Sequence, residues 1–161
     1  MKITIAHNRP IIAPVSVQLL DENGELQEAV GKLHWKRLPQ AKVGELIANE
    51  HAAANDSAGR YIFDEAVIEQ RMQERGYSTQ QELSIAAAVH ARIFVQLIDG
   101  WDFVQGDGSP LPCDEKTIVD ALTGPEGPRL SRGFYASLAI AYGIDPKGNV
   151  IETVPEEAAK N

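Results

Sequence analysis

The chain has 161 residues, of which 43% are hydrophobic and 24% are charged, so it fits one domain with a substantial core. Its net charge of −8 disfavours binding to nucleic acid or to an anionic membrane, because both are negatively charged. The single cysteine, Cys113, excludes an internal disulfide, and the lack of a signal peptide or a bilayer-length apolar run predicts a cytoplasmic protein.

The beginning of the chain predicts β-strands. Apolar and polar residues alternate around Ile3 and Ile5 and again over Val15 to Leu19, as in strands that bury one face. The two prolines in residues 7–14 favour an edge strand or a loop there. Asn23-Gly24 predicts a hairpin turn, since both residues tolerate positive φ.

The strand that follows this turn changes its pattern. Leu26 and Val30 share one parity, whereas Leu33 and Trp35 share the other. A shift of one residue would return all four side chains to the inner face. We therefore predict a β-bulge at Gly31.

From Pro39 onward the pattern is helical. Five helices are predicted: a short one after Pro39, one from near Asp64 to Gly76, one over residues 79–98, one capped by Asp114, and one from Pro128 to Gly143. Residues 52–60 are expected to form a small polar connector between the first two. The third helix is apolar on nearly every side, so we expect it at the buried centre of the domain.

These elements predict an α+β fold, in which an N-terminal antiparallel hairpin or small sheet packs on a C-terminal bundle of about five helices. Residues 1–144 are expected to form a single domain that is β-rich over 1–38 and helical over 39–144. Residues 145–161 are expected to form a turn followed by a flexible acidic tail.

Residues with catalytic potential are few and scattered. None of His7, His34, His51 and His90 lies three or four residues from another, so no metal-binding spacing occurs and no cofactor is predicted. His90 lies in the apolar helix, where a core histidine is the simpler explanation. Cys113 precedes a helix N-terminus, which would stabilise a thiolate. We predict a non-catalytic protein, and the enzyme alternative is a small hydrolase that uses Cys113 or His90.

The most distinctive stretch is GWDFVQGDGSPLPCDEKTIVDAL, residues 100–122. Its notable positions are a Gly-Trp pair, an Asp-Gly turn, a Pro-Leu-Pro corner and a helix cap: Gly100, Trp101, Asp107, Gly108, Pro110, Leu111, Pro112 and Asp114. We interpret them as structural, with contact to a partner as the alternative. Trp101 is expected to pack against the long third helix, and Asp114 to cap the helix after it.

With the hairpin before it and GPRLSRGFYASLAIAYG after it, this order of motifs resembles the tail assembly chaperones of long-tailed bacteriophages, or a prophage-encoded homologue, over roughly residues 15–142. The opening MKITIAHNRPIIAP and Cys113, where a larger residue is expected, depart from the pattern. The resemblance implies a protein that binds and solubilises the tape measure protein during tail assembly. It also implies location in the host or lysogen cytoplasm and absence from the mature virion. A minor tail or connector-completion protein is the alternative.

The resemblance has implications for partners as well. In this family a programmed −1 ribosomal frameshift commonly produces a longer form, and Ala159-Lys160-Asn161 is compatible with the slippery sequence A AAA AAC. The longer form would be the route to the tail tube protein. Self-association is compatible with the sequence, although no exposed apolar stripe specifies it. Neither nucleic acid nor a membrane is expected as a partner.

Overall fold

The order of the elements confirms the predicted α+β fold. A computed structural model describes residues 2–5, 8–57, 65–76 and 80–151. The elements are β1 (Ile11–Leu20), β2 (Leu26–Trp35), α1 (Gln40–Ser57), α2 (Glu65–Arg75), α3 (Gln80–Leu97), β3 (Ile98–Trp101), α4 (Glu115–Thr123) and α5 (Gly127–Tyr142). The described residues thus form one antiparallel sheet, in the order β1-β2-β3, and five helices. None of these helices has both the length and the apolar character needed to cross a bilayer.

The hairpin predicted at the start of the chain is present. β1 and β2 pair along their whole length, from Ile11 opposite Trp35 to Leu20 opposite Leu26. The turn between them places Gly24 at φ +78°, a conformation that glycine adopts without steric cost. β1 is an edge strand, so the edge placement expected for its proline-containing first residues is confirmed.

The β-bulge predicted at Gly31 is wrong. Gly31 pairs with β1 in an unbroken register, and the register shift that β2 does have lies between His34 and Trp35, opposite β3. Leu26 and Val30 consequently remain on the outer face of the sheet, where they are 55% and 76% exposed. The change of parity in the sequence marks an outer face that is itself partly apolar.

Other sequence predictions also differ from the structure. Residues 2–5 form no regular structure, and Ile3 and Ile5 are exposed, so the strand predicted there is absent. β3 was not predicted, because four residues are too few to establish a period. The first helix is not short: α1 continues to Ser57 through most of the predicted connector, since its alanines favour helix.

The predicted helix ends are largely confirmed. α2 ends before Gly76 at φ +84°, and α5 ends before Gly143 at φ +67°, whose N–H donates to the carbonyl of Ala139. The turn predicted after α5 is also present, since the N–H of Asp145 donates to the carbonyl of Asn149. The tail predicted beyond it, residues 152–161, lies outside the described residues.

The core lies between the inner face of the sheet and helices α3 and α5. Trp35 of β2 and Phe94 of α3 are fully buried, with ring centroids 6.0 Å apart, and Phe94 lies 5.4 Å from Phe134 of α5. The indole N–H of Trp35 donates to the Ser137 hydroxyl of α5 at 3.1 Å. The three elements are therefore joined by packing and by a buried hydrogen bond.

Candidate functional site

An apolar groove of about 760 Å³ runs between α3 and α5. Small side chains form much of both walls, with a leucine, the end of α4 and the segment after α5 completing the lining: Leu83, Ala86, Ala87, Ser131, Ala136, Ala139, Leu122 and Ile151. The volume is in the range of protein sites that hold small molecules or parts of a partner. The groove is a concave apolar surface of the described residues, and we take it as the candidate functional site.

The groove lies beside the first half of α3, where the helix is less completely buried than in its second half. Val89, Ile93 and Leu97 are fully buried, as predicted for a central helix, but Leu83 in its first half is 56% exposed. A helix that is apolar all round needs a neighbour on every side. Large exposed apolar surfaces commonly mark interaction sites, so the exposed half of α3 is suited to a partner.

His90 lies in the wall of the groove and adds no positive charge to it at neutral pH. Its ring meets the ring of Tyr135 edge to face, with centroids 5.1 Å apart. Burial, and to a smaller degree the charge of His51, lowers the pKa of His90 to about 4. A neutral imidazole against an aromatic ring matches the core histidine that the sequence suggested.

The shifted pKa of His90 predicts that stability depends on pH. Its folded-state pKa of about 4 lies below the ordinary value of 6.5, so the unfolded state binds more protons between these two pH values. The contribution of neutral His90 to the stability of the fold is complete above pH 6.5 and is lost as the pH falls toward 4. We expect the free energy of unfolding to decrease by at most about 3 kcal/mol over that range.

Urea unfolding measures this change in the free energy of unfolding. The two pH values to compare are 7.0 and 4.5, because most of the change falls between them. His90→Gln should reduce the difference between the two pH values, whereas His34→Gln, on the outer face of the sheet, should leave it as in the wild type. An unchanged pH dependence in His90→Gln would contradict the assignment.

Cys113 is not activated in the way the sequence suggested. The thiol is half-buried, and burial raises its pKa, with Asp114 and Asp99 raising it further. Burial and the two carboxylates therefore oppose the thiolate that the start of α4 was expected to stabilise. Cys113 does not line the groove that contains His90. Among the described residues, no cluster of three His, Cys, Asp or Glu side chains could hold a metal ion.

Trp101 connects the stretch at residues 100–122 to the core. Gly100 and Trp101 lie in β3. The Trp101 indole N–H donates to the carbonyl of Leu111 at 2.8 Å, and its ring stacks on Phe103 with centroids 4.8 Å apart. Both rings lie near Phe134 of α5, with centroids 6.5 and 6.2 Å from it. The contact predicted between Trp101 and the long third helix stays a prediction.

The rest of this stretch is stabilised by local hydrogen bonds. The Asp107 carboxylate accepts from the backbone N–H of Ser109 at 2.9 Å, and Gly108 has φ +86°, so the predicted Asp-Gly turn is present. Hydrogen bonds from Ser109 lower the pKa of Asp107. Pro110 forms an isolated bridge with Val104 across this turn, and Pro112 on the exposed surface follows it.

Asp114 caps α4 as predicted, with its carboxylate accepting from the backbone N–H of Thr117 at 2.8 Å. None of the eight positions singled out in the sequence lines the groove. They shape the corner between β3 and α4, and the groove is built from other residues.

The sequence also missed a long-range contact made by this corner. The Asp102 carboxylate accepts from the backbone N–H of Lys32 at 2.8 Å, although the two residues are 70 positions apart. A Cβ at position 31 would lie 2.8 Å from this Oδ1 and 3.0 Å from a ring carbon of Phe103, so any residue larger than glycine would displace the carboxylate. The close approach of this carboxylate accounts for the glycine at this position, which the sequence pattern attributes to a bulge.

Comparison with known proteins finds no match for this chain among family models, curated sequences or solved structures.

Proposed function

We propose that this protein is a non-catalytic tail assembly chaperone of a bacteriophage or prophage. Its role would be to hold an apolar helical segment of the tape measure protein and keep that protein soluble until the tail tube forms. The observation that carries the proposal is the apolar groove between α3 and α5. The order of motifs over residues 15–142 supports the same family.

The groove favours a helix as its occupant. Its walls contain small residues, such as Ala87 on α3 and Ala136 on α5, so large aliphatic side chains of a partner helix can enter between the two helices. Leu83, 56% exposed at the groove, would be covered by such a helix. Burial of apolar surface contributes about 25 cal/mol per Å² to the free energy of binding. A small contact per copy is therefore enough for stable binding when many copies bind along one filament.

The charge of the chain suits a protein that masks apolar surface. A net charge of −8 over 161 residues opposes aggregation of the complex, because coated filaments repel one another. We place the protein in the cytoplasm of the host or lysogen and expect it to be absent from mature virions. A frameshifted longer form would bring the tail tube protein to the same complex.

The test is co-expression with a tape measure fragment that is insoluble alone. The wild-type chain should raise the soluble yield of the fragment and co-purify with it. Leu83→Glu should lower the amount recovered at least tenfold, because it removes an apolar contact and introduces a charge that the partner would desolvate. Val104→Glu is the matched control, since Val104 is 62% exposed and lies outside the groove.

Two results would count against the proposal in different ways. A fragment that stays insoluble with the wild-type chain would oppose the chaperone function itself. Equal recovery with Leu83→Glu and with wild type would leave the function standing but show that the groove is not the binding site. Mass spectrometry of purified particles adds a second criterion, because stoichiometric amounts in mature tails would favour a structural tail component.

A further inference from the structure

A second surface, the outer face of the β1–β2 hairpin, is apolar at both ends and in the middle. Its apolar side chains are well exposed: Ile12 58%, Leu20 46%, Leu26 55% and Val30 76%. Between them lie two exposed charged residues of opposite sign, Glu28 and Lys32. Single exposed apolar residues are ordinary on a protein surface, but four on one face of one hairpin are a candidate interface.

The arrangement of this face is symmetric about its centre. Val30 lies opposite Ser16, midway along the paired strands. Glu28 is two residues from Val30 in one direction and Lys32 is two residues from it in the other. Since alternate residues of a strand share a face, all three side chains project to the same side, with opposite charges at equal distances from the valine.

From this symmetry we infer that the outer face of the hairpin binds a second copy of the same chain. The two-fold axis lies in the plane of the interface, perpendicular to the strands, at the level of Val30. It places Val30 of the two copies together and Lys32 of each copy against Glu28 of the other. Further out, it brings Ile12 of each copy over Leu20 of the other. Each copy uses the same patch, as a closed two-fold dimer requires.

The charges distinguish this occupant from others. A polyanion would require one positive sign across the face, whereas the two strands present one charge of each sign there, so these two charges complement each other across the axis. In the single chain the Glu28 carboxylate accepts a hydrogen bond from the Ser16 hydroxyl at 2.9 Å, which holds it on this face and leaves its second oxygen for a lysine.

The size of the face sets the expected strength. Ten residues per strand at about 3.4 Å each, over two strands, give a footprint of roughly 300–400 Å² per copy. A stable interface buries about 800 Å² per partner. Arg132 lines a small pocket together with Ser16 of this face, and the two copies of Arg132 would repel one another across the axis. The dimer is therefore weak, with a dissociation constant on the order of 100 μM.

Sedimentation equilibrium of the full chain from about 10 μM to 1 mM tests the inference. The wild type should change from monomer to dimer over this range. Lys32→Glu and Glu28→Lys should each weaken association at least tenfold, because each places two pairs of like charges across the axis. Lys42→Glu and Glu45→Lys, at exposed positions of α1, are the matched controls and should associate as the wild type does.

Mixing gives the sharpest result. Equal amounts of Lys32→Glu and Glu28→Lys should associate with one another, because every charge contact in that mixed dimer joins opposite signs. The double variant Lys32→Glu/Glu28→Lys should likewise recover wild-type association. A wild type that remains monomeric at 1 mM, or a mixture that associates no better than its components, would overturn the inference. The outcome is independent of the proposed function, because no tape measure protein is present.

Discussion

Trp35→Ala is expected to lower the free energy of unfolding by about 3–5 kcal/mol, the largest loss among the substitutions considered. Trp35 is fully buried and meets Phe94 of α3 and Tyr142 of α5, with ring centroids 6.0 and 5.9 Å apart. Truncation leaves a cavity between the sheet and both helices. It also removes the donor to Ser137, whose hydroxyl would remain buried without that bond. The free energy of unfolding of a natural domain is about 5–15 kcal/mol, so a loss of this size brings the variant close to the limit of stable folding.

Urea unfolding followed by circular dichroism measures this loss. Trp35→Phe keeps an aromatic ring and removes the indole N–H, and it should cost roughly 1–3 kcal/mol. Adding Ser137→Ala to Trp35→Phe should cost less than the sum of the two single changes, since the second change removes a hydroxyl already deprived of its donor. A loss below about 1 kcal/mol for Trp35→Ala would contradict the central position of this residue.

The parts of the fold that local chemistry determines were predictable from the sequence. Gly76 and Gly143 end helices because they adopt positive φ, and Asp114 begins one because its carboxylate accepts a backbone N–H. The hairpin at Gly24 depends on the same property of glycine. In each case the determining residues are neighbours in the chain.

The features that depend on distant residues were not predictable in the same way. β3 is a strand because it pairs with β2 more than sixty residues earlier, and its four residues contain no readable period. A Cβ at Gly31 would come within 2.8 Å of the Asp102 carboxylate, which lies about seventy residues away in the chain. From the sequence alone, the parity change around Gly31 had a simpler explanation in a bulge, and that explanation failed.

The candidate site shows the same division. The residues that stood out in the sequence, such as Trp101 and Asp107, shape a corner through contacts within about ten residues. The groove depends instead on ordinary alanines such as Ala87 and Ala136, about fifty residues apart, whose smallness matters only once α3 and α5 lie side by side. The usable sequence signal was weak: an apolar helix with a run of alanines, and alanines three residues apart in α5.

Gly133→Ala is expected to destabilise the protein by about 1–3 kcal/mol, although alanine is the better helix former by about 1 kcal/mol. A Cβ at this position of α5 would lie 2.6 Å from the carbonyl oxygen of Ser16 and 2.8 Å from Cγ2 of Val17, both in β1. Real contacts of a Cβ are longer, so helix and strand must separate. Because the carbonyl belongs to a paired strand, α5 is the element that moves.

The control for this change is Gly106→Ala, where a Cβ would meet nothing within 4 Å and φ is not positive. It should alter the free energy of unfolding by no more than about 0.5 kcal/mol. Gly133→Ala combined with Val17→Ala should not regain wild-type stability, since the side-chain contact is relieved but the carbonyl remains. Thermal unfolding of the wild type, the two single variants and the double variant measures these effects. A Gly133→Ala variant as stable as the wild type would show that α5 and β1 can accommodate the extra methyl group.

The same displacement connects the packing of α5 to the groove. Gly133 faces β1, whereas Tyr135 and Ala139 of the same helix line the groove. Since a rigid helix moves as a unit, movement away from the strand carries the groove wall toward α3 and narrows the space for a partner. Gly133→Ala should therefore reduce recovery of the tape measure fragment more than Trp35→Phe does at a similar loss of stability. Equal recovery by the two variants would mean that the groove tolerates the shift or is not the binding site.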